Sequence, residues 1–128
     1  MIQIRGKNTK PEMIVRHFLH ANGLRYKLHD KTLPGKPDLV FPKFKTVVNI
    51  NGCFWHGHEG CKYYVVPKSR MDYWVSKLTG NINKDKINNE KLIQMGWKAI
   101  TVWECELKKD KVSANLNTLF TKIISTTP

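Results

Sequence analysis

Residues 50–61, INGCFWHGHEGC, bring metal-binding, acid–base and aromatic side chains together in one short segment. Within it, the spacing Cys53-x4-His58-x2-Cys61 offers the thiol and imidazole ligands that zinc prefers. Cys105 comes much later but directly follows a predicted strand, and strand ends can be neighbours in a sheet. Three thiolates and one imidazole leave no open position, which predicts a structural zinc. The alternative is three unrelated buried thiols, a common fate of free cysteine.

Two further residues have side chains that could bind a metal ion or transfer a proton. Asp38 follows Pro37 at the start of a predicted strand, where a carboxylate is suited to binding Mg²⁺. From the residues alone an ordinary turn aspartate is the preferred interpretation, because this is the commoner fate of aspartate beside proline. His56 has a side chain whose near-neutral pKa suits removal of a proton from water. Spacing alone does not decide whether His56 or His58 would bind the zinc.

Adjacent aromatic residues in the same segment suggest a contact outside the core. Phe54 and Trp55 cannot both point inward from extended backbone, so at least one is expected to face outward. Apolar side chains that wedge between base pairs are a known DNA-binding device. Trp97 and Trp103, on the last predicted strand, are instead expected to lie in the core.

The charge balance favours a polyanionic partner. Lys and Arg number 22 against 10 Asp and Glu, a net charge of +12 on 128 residues. Nucleic acid is preferred over a membrane, because the sequence has no evident basic amphipathic helix and no apolar run of membrane-spanning length. The start of the chain lacks the apolar core of a signal peptide, so a cytoplasmic protein is expected. The odd number of cysteines argues against a disulfide framework.

The periodicity of the sequence predicts the elements that must position these residues. A first helix should begin at Thr9, which with Glu12 resembles a capping box. Residues 24–30, 38–42 and 45–51 read as strands. A helical pattern covers residues 70–95, with an expected break at Gly80, and residues 97–103 read as a strand. A last helix is expected to be capped by Ser113. This order predicts an α/β fold, a mixed sheet covered by helices, in one domain over residues 1–128.

Several blocks of the sequence closely resemble the very-short-patch repair (Vsr) endonuclease family: RGKNTKPE, LHDKTLPGKPDLV, NGCFWHGHEGC, GNINKDK and GWKAITVWECEL. The resemblance implies a restriction-endonuclease-like three-layer fold with a structural zinc. It implies an endonuclease that nicks one DNA strand 5′ of the thymine of a T·G mismatch, with Mg²⁺ as the catalytic metal. The implied partner is double-stranded DNA carrying that mismatch, and other mismatch-repair proteins are compatible partners. The chain is expected to act as a monomer.

The resemblance also assigns roles to individual residues. It makes Asp38 the central ligand of Mg²⁺, His56 the acid–base histidine and Glu12 a supporting acidic residue. It assigns the zinc to His58 and the three cysteines, the same four ligands that spacing suggests. The other histidines of the chain, His29 among them, receive no functional role.

The DNA-contacting residues implied by the resemblance fall into two groups. Aromatic side chains are expected to enter the base stack near the mismatch, and these are Phe54, Trp55 and Trp74. On the long helix, Asn81 and Asp85 match a family block and are candidates for positioning the loop or the metal site. Lys84 and Lys86 are candidates for phosphate contacts, although a solvated helix face would carry the same residues.

Two departures from the family pattern affect the expected activity. Asn51 stands where the family commonly has histidine, so a slow but real nuclease is expected. The arm before Arg5 is also shorter than usual. Two other functions therefore stay open: a different restriction-like or homing nuclease on the same fold, and a zinc-stabilised DNA-binding protein with weak or lost catalysis. A carboxylate at Asp38 with a histidine at His56 favours an enzyme, since a pure binder needs neither.

Overall fold

The computed structural model describes residues 10–54, 56–58, 60–62 and 65–125. Three helices and four strands make up its regular structure in these ranges. In chain order they are α1 (Lys10–Ala21), β1 (Lys27–Leu28), β2 (Leu39–Phe41), β3 (Thr46–Asn51), α2 (Met71–Gln94), β4 (Lys98–Trp103) and α3 (Val112–Ile124). Short 3-10 turns at Pro42–Phe44 and Glu104–Leu107 follow β2 and β4.

The sheet is mixed, as the sequence predicted. Its strands lie in the order β1-β2-β3-β4. The β1–β2 and β2–β3 pairs are antiparallel, whereas β3 and β4 run parallel with Thr46 opposite Lys98 and Asn51 opposite Trp103. Because β3 and β4 end in register, the segments that leave them start side by side at one edge of the sheet.

Helices cover both faces of the sheet. Alternate strand residues point to opposite faces, so Leu39, Val48 and Val102 share one face with the apolar sides of α1 and α3. Val40 and Val47 point the other way and pack against Leu92 of α2. Burial on both sides explains why β2 and β3 read as nearly continuous apolar runs rather than alternating ones.

The structure corrects three expectations about element boundaries. α2 is one continuous helix of 24 residues through Gly80, because one glycine costs only about 1 kcal/mol and the packing of a long helix offsets it. α3 begins at Val112 without a side-chain cap, so Ser113 does not cap it. The first predicted strand is reduced to Lys27–Leu28. The capping residue Thr9 lies outside the described residues.

Trp97 and Trp103 are half-buried rather than enclosed in the core. Trp97 packs beside the cluster formed with Leu92, whereas the ring of Trp103 stacks on a histidine of the loop after β3. The prediction that both lie in the core is therefore wrong for Trp103, which packs against the loop after β3 instead.

Within the described ranges, no helix combines the length and apolarity needed to cross a membrane.

Candidate metal and catalytic site

Four potential metal ligands converge beyond the ends of β3 and β4. The cysteine cluster consists of Cys53, His58, Cys61 and Cys105, whose ligand atoms all lie within 4.8 Å of one another. The Sγ atom of Cys105 is 3.5 Å from Nδ1 of His58. The parallel register of β3 and β4 brings Cys105 to the other three, since Cys53 and Cys105 each follow a paired strand end by two residues. The cluster could hold one ion with four protein ligands.

Local contacts fix the shape of both segments that supply the cysteine cluster. The backbone N–H of His58 donates to the carbonyl of Cys53 at 2.9 Å, closing a turn inside the loop. The ring of His58 stacks on that of Trp103, with centroids 4.1 Å apart. After β4, the side chain of Glu106 accepts from the backbone N–H of Trp103 at 2.8 Å, and this contact holds the turn that carries Cys105.

Two thiols of this cluster, those of Cys53 and Cys105, favour their neutral form in the absence of a cation. Burial raises the pKa of Cys53 to about 12 and also raises that of Cys105. A metal ion would reverse the preference, because coordination stabilises the thiolate. A closed set of sulfur and imidazole ligands fits a structural metal rather than one that binds substrate.

A second group of potential metal ligands is separate from the cysteine cluster. The carboxylate cluster consists of Glu12, His29 and Asp38, and its ligand atoms also lie within 4.8 Å of one another. Glu12 is only 1% exposed, in the first turn of α1. Its Oε2 atom lies 2.8 Å from Nε2 of His29 and 3.4 Å from Nη1 of Arg16. Asp38 accepts a hydrogen bond of 2.7 Å from the backbone N–H of Ile50.

The environment of Asp38 disfavours its ionised form. Burial raises its pKa from 3.8 to about 6, and the negative charge of Glu12 adds to this effect. The hydrogen bond from Ile50 and the nearby His29 and His56 act in the opposite direction without offsetting the burial. A cation bound at this half-buried carboxylate would favour its ionised form, as it would that of the neighbouring Glu12.

His56 forms a pair with Asp85 of α2, which links the long helix to the site. Its Nδ1 atom lies 2.6 Å from Oδ2 of Asp85, and each side chain is about one third exposed. The charge of His56 also lowers the pKa of Asp38, although less than burial raises it. His58 is in the cysteine cluster and His56 is not, so the structure favours His58 as the ligand that spacing left undecided.

Two of the three aromatic candidates touch each other. The rings of Phe54 and Trp74 meet edge to face with centroids 5.5 Å apart, and Trp74 also contacts Tyr73 at 5.2 Å. Phe54 and Trp74 are half-buried, while Tyr73 is more exposed. Trp55 lies outside the described residues. An aromatic surface therefore lies between the loop after β3 and the first turn of α2.

The remaining candidates lie on α2 and at the end of β3. Asn81 is half-buried one helical turn before Asp85, and Lys84 and Lys86 are exposed. Asn51 is the last residue of β3 and is 8% exposed. It follows Ile50, whose backbone N–H donates to Asp38.

Two features of the site were not anticipated. His29 was given no role, yet it touches Glu12 and lies opposite Asp38 because β1 and β2 pair antiparallel, with the N–H of His29 donating to the carbonyl of Asp38. A correctly predicted hairpin register would have revealed it. The second feature is a basic cleft beside the cysteine cluster, whose lysines are Lys62, Lys108, Lys109 and Lys111.

Comparison with known proteins gives a consistent set of relatives. Residues 1–62 match the family described as DNA mismatch endonuclease Vsr. The chain is 50% identical over 107 residues to the Type II nicking enzyme V.XorIIP of Xanthomonas oryzae, covering 84% of this chain and 78% of that protein. It is 49% identical over 112 residues to V.NmeAIP of Neisseria meningitidis, covering 88% and 79%. The DNA mismatch endonuclease Vsr of Escherichia coli is 34% identical over 108 residues, covering 84% and 69%.

The raised pKa of Asp38 predicts that Asp38→Asn stabilises the protein in the absence of divalent salts. The folded-state pKa of about 6 exceeds the unfolded value of 3.8, so ionisation costs nothing below pH 4 and its full amount above pH 6. Two pKa units correspond to about 3 kcal/mol, an upper bound for the gain at pH 7.5. Urea unfolding at pH 7.5 and pH 5 should show a gain that shrinks at the lower pH.

Asp30→Asn is the matched control for this measurement. Hydrogen bonds from Thr32 lower the pKa of Asp30, so its replacement should not stabilise the protein at either pH. Equal unfolding free energies for Asp38→Asn and the wild-type chain at pH 7.5 would show that Asp38 is not held in the described environment.

Proposed function

Because this chain belongs to the Vsr family of DNA mismatch endonucleases, we propose that it nicks one strand of double-stranded DNA on the 5′ side of the thymine in a T·G mismatch. The observation that carries the proposal is the carboxylate cluster of Glu12, His29 and Asp38, and the His56–Asp85 pair supports it because His56 lowers the pKa of Asp38 electrostatically. In this proposal residues 1–128 form a single Vsr-like domain of restriction-endonuclease-like architecture. The names of the relatives V.XorIIP and V.NmeAIP support a nicking activity.

Asp38 is proposed as the ligand of the catalytic Mg²⁺, with Glu12 in support. Carboxylate oxygens are the donors that Mg²⁺ prefers, and the unfavourable ionisation of Asp38 is relieved when a cation is bound. When bound, the ion neutralises charge on the scissile phosphate and on the leaving oxygen. Arg16 and His29 hold the carboxylate of Glu12 in place from the side of α1 and β1.

His56 is proposed as the acid–base residue, and Asp85 as the residue that orients it. An ionised carboxylate only accepts hydrogen bonds, so Nδ1 of His56 must donate its proton to Asp85. In the neutral ring this leaves the lone pair on Nε2, which can take a proton from an attacking water. The carboxylate of Asp85 also stabilises the imidazolium that results.

Recognition of the mismatch is assigned to the aromatic surface, and affinity to the lysines. Phe54, Trp55 and Trp74 would wedge into the base stack, where a faulty pair costs least to open. Asn81, Lys84 and Lys86 on α2 would contact the phosphate backbone, which gives affinity without sequence choice. The net charge of +12 supports such contacts.

The cysteine cluster is proposed to hold one structural zinc. Its four ligands of sulfur and nitrogen match the composition of closed zinc sites. The loop between Cys53 and Cys61 contains two glycines and carries both Phe54 and His56, so a metal at its two ends would fix the residues that read and cut the DNA. Zinc would thus act on catalysis only through the shape of this loop.

Cys105→Ser is predicted to remove the zinc and to destabilise the protein by more than the roughly 1 kcal/mol typical of a point substitution. The reason is that the energy of metal binding is part of the energy of folding. Elemental analysis should find one zinc per wild-type chain and little in the variant, and thermal unfolding should show a lower midpoint. Full zinc content in Cys105→Ser would contradict the ligand assignment. His17→Gln, at an exposed histidine of α1, is the control that should change neither value.

The decisive test of the proposed function is a nicking assay with Mg²⁺ on three substrates. These are a duplex with T·G at a candidate cytosine-methylation site, the matched duplex, and supercoiled plasmid. We expect a single nick 5′ of the thymine in the first substrate alone. Cutting of both strands, or equal nicking of the matched duplex, would instead indicate a different restriction-like nuclease. Binding without any cut would indicate a DNA-binding protein.

Asp38→Ala should lower the nicking rate at least about a hundredfold while leaving DNA binding intact or stronger. The variant loses several kcal/mol of charge stabilisation in the transition state and also loses a repulsion of phosphate. Asp30→Ala, at a half-buried aspartate outside the carboxylate cluster, should retain the wild-type rate. Metal-dependent nicking at the wild-type rate by Asp38→Ala would refute the role of Asp38.

Asn51→His should speed single-turnover nicking by roughly a hundredfold, with little change in DNA affinity. An imidazolium next to the carboxylate cluster can stabilise charge on the phosphate or deliver a proton to the leaving oxygen, whereas an amide can only donate a hydrogen bond. An unchanged rate in a variant of wild-type thermal stability would show that position 51 does not face the phosphate. Because Asn51 is buried, the stability of the variant must be measured alongside.

A further inference from the structure

His29 is a largely buried histidine that the proposed mechanism uses only as a support. Its side chain is 14% exposed, and its Nε2 atom lies 2.8 Å from Oε2 of Glu12. Its backbone N–H donates to the carbonyl of Asp38 at 3.0 Å, so the β1–β2 pairing fixes it directly opposite Asp38. A ring nitrogen is therefore held at the carboxylate cluster by the sheet itself.

The distances within the carboxylate cluster match those between ligands of one small cation. An octahedral ion with bonds of about 2.1 Å places neighbouring ligands about 3 Å apart and opposite ligands about 4.2 Å apart. The 2.8 Å separation of Glu12 and His29 agrees with the first value. The third ligand atom, from Asp38, lies within 4.8 Å of both, so small side-chain rotations would bring all three to one ion.

The charge of the cluster also suits a cation. Two carboxylates lie within a few ångströms of each other, and Glu12 is almost fully buried. Arg16 contacts the same Oε2 atom of Glu12 that faces His29, at the longer distance of 3.4 Å. Such close negative charges are stabilised most directly by an ion bound between them.

We propose that His29 is a metal ligand, and that Glu12, His29 and Asp38 together bind one divalent ion with a preference for Mn²⁺ over Mg²⁺. A nitrogen donor shifts the preference of an oxygen site from the hard Mg²⁺ ion towards transition metals. The proposal deepens the proposed function and rests on it for the role of the ion, but not for its binding. On binding, the proton of His29 resides on Nδ1, which leaves the Nε2 lone pair for the metal.

The competing role for His29 is that of a positioning residue. In that case its Nε2–H donates to Glu12, and the ring never contacts the ion. Replacement by glutamine separates the two roles. An amide can still donate a hydrogen bond to Glu12, but it supplies no nitrogen lone pair to a metal. A positioning role then predicts equal effects on Mn²⁺ and Mg²⁺ binding.

The test is electron paramagnetic resonance of Mn²⁺ bound to the intact, zinc-loaded protein without DNA. We expect one Mn²⁺ site per chain, with spin-echo modulation from a coordinated imidazole nitrogen. His29→Gln should lose that modulation and weaken Mn²⁺ binding by about tenfold or more. Mg²⁺ affinity, measured by displacement of Mn²⁺, should fall much less. Asp38→Asn should remove the site.

Two control variants locate the nitrogen. His56→Gln should keep the modulation, although His56 also lies near Asp38. His17→Gln, on the exposed side of α1, should leave both affinity and modulation unchanged. Loss of modulation in His56→Gln with its retention in His29→Gln would overturn the proposal in favour of His56.

Other outcomes also decide the matter. The proposal fails if the wild-type protein shows no nitrogen modulation, or if His29→Gln weakens the binding of both ions equally. Should His29→Gln not fold, ¹⁵N-histidine labelling of the His56→Gln protein tests the same point, because the modulation must then change to the ¹⁵N pattern. The metal measurement contains no DNA and is therefore independent of the nicking assay. If the chain shows imidazole coordination but never nicks DNA, only the proposed function is refuted. Nicking without imidazole coordination would refute this inference alone.

Discussion

The parallel pairing of β3 with β4 is the constraint on which the rest of the site depends. It places Asn51 opposite Trp103, and the two segments that follow therefore begin at the same edge of the sheet. Cys53 and Cys105 become neighbours although they are far apart in sequence. The same strand end presents the backbone N–H of Ile50 to Asp38. A slip of one residue in this register would point each strand's side chains to the opposite face and separate both clusters.

The charge of the whole chain and the charge of the carboxylate cluster have opposite signs. The chain carries a net charge of +12, yet the buried carboxylate of Glu12 and the half-buried carboxylate of Asp38 lie beside each other. The positive surface suits a polyanion, while the carboxylate cluster requires a cation to be fully stabilised. Burial of Asp38 is unfavourable for the metal-free fold and favourable for metal binding. The metal-free fold is thus less stable because of a residue at which the proposed chemistry takes place.

The continuity of α2 connects recognition to the site. Its first turn carries Trp74, which packs on Phe54, and its middle carries Asp85, which holds His56. A break at Gly80 would have separated these two contacts. The helix is unbroken and packs on the sheet through Leu92, so the residues proposed to contact the mismatch and to orient His56 lie on one continuous element.

The sequence alone determined the local features of this protein. Ligand types and spacing singled out Cys53 and Cys61 with a histidine between them, and apolar runs located β2, β3 and β4, because both signals depend on residues close together in the chain. The tertiary structure decided which residues that are far apart in the chain come into contact. The position of His29 beside Glu12 follows from the β1–β2 register, the partner of His56 from the packing of α2, and the stacking of Trp103 on His58 from the parallel strand pair. The persistence of α2 through Gly80 has the same origin, since long-range packing offsets a weak local preference.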